Sequence, residues 1–254
     1  MIAIAECGVR IYNSASGARM FGRFNGGRPG TVAVEARTPI KQVRYVAIDT
    51  ELTGLDEKRD GIVSLGAIRM TGGTIHPGET FYRLVNPSHE LRAESVVIHE
   101  ITPSEVRGQP DIRTALLDFF AFCGQDVLVG HFVNIDLCFL DRESKRLSGI
   151  TVTNPVIDTI SVYTWLRKRL PMAECFARPE SGISLYDIAR TFDIPLEGAH
   201  NALQDAFTTA QLLQRFLPLL GAAGVIDIGD LLTIGTPFKG GDHHHRPTGE
   251  FSNL

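Results

Sequence analysis

Tyr45-Val46-Ala47-Ile48-Asp49-Thr50-Glu51-Leu52-Thr53-Gly54 reads as a buried strand that ends in acid, four mostly apolar residues running into two carboxylates and a glycine turn. Side chains on a strand alternate faces with a period of two, so Asp49 and Glu51 share one face and Thr50 takes the other. Two unpaired carboxylates at the rim of a core repel each other and resist desolvation. A hard divalent cation such as Mg²⁺ or Mn²⁺ relieves both costs. An Asp-x-Glu pair alone more often marks a solvated strand end, so the weight falls on the rest of the chain.

Working outward, Gly61 to Met70, Gly72-Gly73 and the extended run Phe81 to Val85 read as a hairpin. Thr102-Pro103-Ser104-Glu105 carries a capping Thr, Pro at the first helical position and Glu three residues after the cap. Apolar residues at 112, 115, 116, 119, 120 and 123 mark one face of a helix that Gly124 ends. Val127 to Val129 is a short buried strand, followed by a helix from about Asp136 to Leu147. Val156-Ile157 is another strand, with Asp158 or Thr159 capping a helix that reaches Leu170. Ser184 starts a helix that Pro195 stops, and a long helix from about Asn201 to Leu217 is bent or ended by Pro218. Two antiparallel strands followed by alternating helices and short strands imply an α/β fold, a mixed sheet with helices on its faces.

The 254 residues, 43% of them hydrophobic, suffice for one large domain with appendages. Residues 1 to 44 carry seven Lys or Arg against two acids, whereas the whole chain has a formal charge of -4, so its body is acidic. The chain then reads as a basic extension (1–43), an acidic main domain (44–220) and a C-terminal extension (221–254) whose Gly-, His- and Pro-rich tail begins near Gly235. Cys7, Cys123, Cys138 and Cys175 form no C-x-x-C pair, and no apolar run of about 18 residues appears. With no signal-like start, the expectation is a soluble cytoplasmic protein without a membrane span.

Asp136 follows the strand 127–129, and the ends of such strands are where open α/β sheets place ligands. His200 precedes a helix from which Asp205 projects. Asp49, Glu51, Asp136 and Asp205 together supply enough carboxylates for two divalent ions about 3.5 to 4 Å apart, an arrangement suited to in-line phosphoryl displacement. His200, with an ordinary pKa near about 6.5, is matched to accept a water proton.

D-x-E at 49 and 51, the run Gly130-His131-Phe132-Val133-Asn134-Ile135-Asp136, and H-x-x-x-x-D at 200 and 205 resemble the DEDDh 3′-5′ exonucleases. Within that family they are most similar to the DnaQ-like proofreading epsilon subunits of bacterial DNA polymerase III. The resemblance covers about Arg44 to Leu217. It implies an RNase H-like fold, Asp49, Glu51, Asp136 and Asp205 as ligands of two Mg²⁺ or Mn²⁺ ions, and His200 as general base. It further implies release of nucleoside 5′-monophosphates from single-stranded DNA 3′ ends in proofreading or repair, with a DNA polymerase as partner. Thr53, Gly54 and Leu55 would lie beside the terminal nucleotide. Three positions depart from the family pattern: Phe132 and Ile135 stand where many relatives have Asn and an aromatic residue, and Leu52 replaces a common threonine. The rival readings are an RNA-trimming relative and a non-catalytic nucleic-acid or polymerase-binding module.

Among weaker features, Asp158 is more economically a helix cap than a further site acid. Arg142, Lys145, Arg146 and Arg167-Lys168-Arg169 would track a phosphate backbone or simply solvate helix surfaces.

Overall fold

The computed structural model describes residues 34–87, 91–148, 152–176, 182–196 and 200–237. Most of the basic extension and the tail containing His243-His244-His245 lie outside them. Within them, five strands form one sheet, ordered β3-β2-β1-β4-β5. β1 (Arg44–Leu52) pairs antiparallel with β2 (Ile62–Thr71), which turns at Gly72-Gly73 into β3 (Thr74–Leu84). β4 (Val127–Gly130) runs parallel to β1, and β5 (Val156–Asp158) parallel to β4.

Period-two alternation divides the sheet between two cores. Tyr45, Ala47, Val127, Val129 and Ile157 face one, where helices α5 (Thr159–Arg169), α6 (Leu185–Thr191), α7 (Ala202–Ala222) and α8 (Ile228–Ile234) pack. Val46, Ile48, Leu128 and Val156 face the other, against α3 (Ile112–Cys123) and α4 (Asn134–Ser148). Two short helices, α1 (Ala93–His99) and α2 (Pro103–Val106), follow the hairpin.

Most helix ends follow their caps. Thr102 and Glu105 form the capping box of α2; Asp111, Asp158 and Ser184 accept backbone N–H groups at the starts of α3, α5 and α6. Two departures are informative. α4 begins at Asn134, before the expected Asp136. α7 does not stop at Pro218 but continues to Ala222. Proline in a helix interior costs about 3 kcal/mol, and burying a leucine returns about 1.5 to 3 kcal/mol. Leu217 and Leu220 are both buried, while Pro218 itself is exposed.

Residues flanking the sheet also join the core. The Ile40 N–H donates to the Ile226 carbonyl at 3.0 Å, and Ile40 and Val43 are buried in the same cluster as Ile228 and Leu231. Among the described residues, no helix is long and apolar enough to cross a membrane.

Candidate active site

The C-terminal ends of β1 and β4 open into a pocket lined by Asp49, Glu51, Gly54, Leu55, His99, Phe132, Ile135, Asp136, His200 and Asp205, among others. β1 presents Asp49 and Glu51 toward α7. There the absence of a side chain on Gly66, the β2 residue paired with Asp49, lets the α7 backbone approach. A Cβ on Gly66 would lie 2.1 Å from the Ala202 carbonyl carbon. This close approach brings Asp205, on the first turn of α7, to the two strand acids: ligand oxygens of Asp49, Glu51 and Asp205 all lie within 4.8 Å of one another.

Asp136 arrives from the other core, on the first turn of α4. It lines the same pocket but stands outside that group of three. Its Oδ1 accepts the Thr50 hydroxyl at 2.7 Å. His200 sits at the entrance to α7 with a left-handed backbone, φ 62°. Its N–H donates to the Tyr186 hydroxyl at 2.8 Å and to Asp205 Oδ2 at 3.1 Å, and Tyr186 donates to that same oxygen at 2.7 Å.

The electrostatics fit a cation. Like charges about 4.8 Å apart repel by about 3 kcal/mol at an effective dielectric of about 20. Among the described residues none of the four acids is paired with Lys or Arg. Desolvation first, then Asp136, Asp205 and Glu51, hold the Asp49 carboxyl well above its usual range. Burial and the neighbouring acids push Glu51 up to about 8, and burial pushes Asp136 to about 7 and Asp205 to about 6. Burial lowers His200, so its imidazole is neutral at a lower pH than usual and able to accept a proton. An all-oxygen donor set of this kind suits hard divalent ions.

Thr53 is placed differently from the expectation. It is fully buried, with its hydroxyl donating to Asp60 Oδ1 at 3.1 Å and accepting from the Gly61 N–H. Its side chain shapes the loop that delivers Gly54 and Leu55 instead of facing the pocket. Asp60 also accepts the Asp56 N–H and pairs with Arg92 at 3.1 Å.

His99, by contrast, has no place among the expected site residues. Its Nδ1 accepts the Ile101 N–H at 3.0 Å, so a neutral ring carries its proton on Nε2. That buried Nε2 has no hydrogen-bond partner among the described residues, and it belongs to a pocket-lining side chain. Burial keeps the ring neutral by lowering its pKa.

Two of the weaker sequence features, Asp158 and the cations of α4, have defined partners in the structure. Asp158 caps α5 and holds the Phe132 N–H at 3.0 Å. Arg142 donates to the Glu57 and Asp60 carbonyls, while Lys145 and Arg146 pair with Asp141 and Glu143. Arg142 is therefore committed within the fold, while Lys145 and Arg146 form ion pairs on the exposed surface of α4.

The RNase_T family, described as Exonuclease, matches residues 46–213. A DNA polymerase III subunit epsilon from Aquifex aeolicus (strain VF5) is 33% identical over 173 residues, covering 68% of this chain and 80% of that protein. A DNA polymerase III subunit epsilon-like protein from Rhodobacter capsulatus is 37% identical over 210 residues, 82% of this chain. The chain spans only 28% of that relative's length. Among solved structures, E. coli Exonuclease I in complex with a dT13 oligonucleotide superposes with a TM-score of 0.62 at 17% identity. The match covers 71% of this chain and 42% of that one, and it shows a shared fold.

Proposed function

This chain belongs to the exonuclease family, and we propose that it hydrolyses phosphodiester bonds at single-stranded DNA 3′ ends, releasing nucleoside 5′-monophosphates. The observation that carries this reading is the convergence of Asp49, Glu51 and Asp205 within 4.8 Å at a pocket that also holds Asp136 and His200. The three would hold a divalent metal, with Asp136 completing the set for a second. Mg²⁺ and Mn²⁺ both suit the oxygens, and when bound such ions acidify the attacking water and steady the leaving oxygen.

His200 would take the proton of that water; burial, by lowering its pKa, keeps the imidazole unprotonated and so available for that role near neutral pH. His99 lines the pocket with a buried Nε2–H that has no partner among the described residues, a donor that a small turn of the ring would bring to an oxygen of the terminal nucleotide. Leu55, Phe132 and Ile135 supply apolar walls for its base, and the Gly54 backbone can approach without a side chain in the way. The exonuclease domain, expected at 44–220, would take in residues 34–43 and 221–237 as parts of its core. Relatives named as polymerase III subunits favour proofreading or repair beside a DNA polymerase.

Digestion of 5′-labelled single-stranded DNA and matched RNA, with Mg²⁺, with Mn²⁺ and with chelator, tests the reading. The expected result is a metal-dependent ladder shortening from the DNA 3′ end and largely lost in His200→Ala. Intact DNA in every lane, from protein shown to be folded, would overturn it. Faster loss of RNA would transfer the assignment to the RNA-trimming reading.

A further inference from the structure

We infer that Tyr186 is a positioning residue that locks the general base to a metal ligand through a single phenol oxygen. The inference rests on the roles proposed above for His200 and Asp205.

Tyr186 lies in the first turn of α6 with its ring buried, edge-on to the His200 imidazole at 5.1 Å between centroids and 82° between planes. The phenol has one proton to give. Because the His200 N–H is itself a donor, the Tyr186 oxygen must accept there, and its own proton goes to Asp205 Oδ2. The direction of both hydrogen bonds is thereby fixed. Asp205 Oδ2 receives two donors, the phenol and the His200 N–H, which makes Oδ1 the freer oxygen for a cation.

The same contacts explain how His200 keeps a left-handed backbone. A non-glycine residue there carries strain of order 1 kcal/mol or more and persists only where its surroundings over-determine it. Here the N–H is hooked by two acceptors and the ring is braced by an aromatic edge. α6 thus holds the segment entering α7, and base and ligand keep a constant offset before any metal arrives.

A buried tyrosine can also serve only as a core aromatic, and substitution separates the two roles. Tyr186→Phe keeps the ring and its packing while deleting the hydroxyl, and Tyr186→Leu removes both. Three readouts are needed: Mn²⁺ affinity without DNA, from the paramagnetic resonance of free Mn²⁺; kcat and KM on single-stranded DNA; and hydrogen exchange at the His200 amide.

If the phenol positions the site, Tyr186→Phe weakens Mn²⁺ binding and lowers kcat by about 10- to 100-fold with KM for DNA unchanged, the usual effect of losing an outer-shell partner. It also speeds exchange at His200 and approaches Tyr186→Leu in severity. Wild-type values for Tyr186→Phe, with only Tyr186→Leu impaired, would overturn the inference and leave the exonuclease reading intact. A wild-type protein that binds Mn²⁺ but leaves DNA uncut would overturn the exonuclease reading, and Mn²⁺ affinity in Tyr186→Phe would still decide the role of Tyr186. A wild-type protein that binds no Mn²⁺ would overturn both.

Discussion

Thr50 donates its hydroxyl to Asp136 Oδ1 at 2.7 Å from the face of β1 opposite Asp49 and Glu51. β1 therefore carries two of the acids and hydrogen-bonds a third through the residue between them, while Gly66 of the neighbouring β2 lets α7 bring in the fourth. Thr50→Val keeps the shape and removes the donor. Activity should fall by about 10- to 100-fold, with secondary structure intact by circular dichroism. Unchanged kcat/KM would show that Asp136 is placed by α4 packing alone.

The pH dependence of stability follows from the raised carboxyls. With folded-state values of about 8, 7 and 6 for Glu51, Asp136 and Asp205, the folded chain holds protons that the unfolded chain has already released. Unfolded carboxyls titrate near about 4, so the folded state binds more protons from there to pH about 8, and stability falls as pH rises through that window. Thermal melts in chelator should show a Tm falling from about pH 6.5 to pH 8, above the range in which the lowered His99, His131 and His200 oppose the carboxyls. Mg²⁺ or Mn²⁺ should raise Tm most at pH 8, and an equal metal-induced shift at both pH values would contradict the assignment.

Gly66→Ala presses a methyl group against backbone of α7 that cannot swing aside. A destabilisation of about 1 to 3 kcal/mol is expected from overpacking. Activity should fall further than in Leu231→Ala, which opens a cavity in α8 at a cost of about 2 to 5 kcal/mol but leaves the acids in place. Comparing kcat/KM of the two variants at a temperature where both are folded checks this.

Asp60→Ala should act on substrate more than on metal. It strips acceptors from Thr53 and Asp56 and a partner from Arg92, loosening the loop that carries Leu55 at a cost of about 2 to 4 kcal/mol. KM for DNA should rise while Mn²⁺ affinity holds. A parallel loss of both would mean that the loop also fixes the strand end.

Local rules made the frame legible in the sequence. Period two put Asp49 and Glu51 together, and helix caps and glycine stops marked most elements. What escaped depends on contacts distant in the chain. Thr50 and Asp136 are 86 residues apart, Tyr186 and Asp205 are 19 apart, and nothing near either tyrosine or threonine signals the partner. Thr53 was legible as a neighbour of the acids but not as a ligand of Asp60, because the loop's return path is set by Arg92 and Arg142. Pro218 obeys local propensity only until the burial of Leu217 and Leu220 outweighs it. For α8, Asp227 followed by Ile228, Leu231 and Leu232 did offer a cap and helical spacing.

The division of the sheet between two cores makes the site a seam. Asp49, Glu51 and Asp205 stand on the face of the sheet that α7 covers and Asp136 on the helix that covers the other face, so a small sliding of α4 over the sheet would part Asp136 from the other three acids without melting either core. Such shear needs far less energy than global unfolding. On gradual heating, catalysis should therefore fade several degrees before helical content does, and bound metal, acting as a rivet across the join, should close that interval.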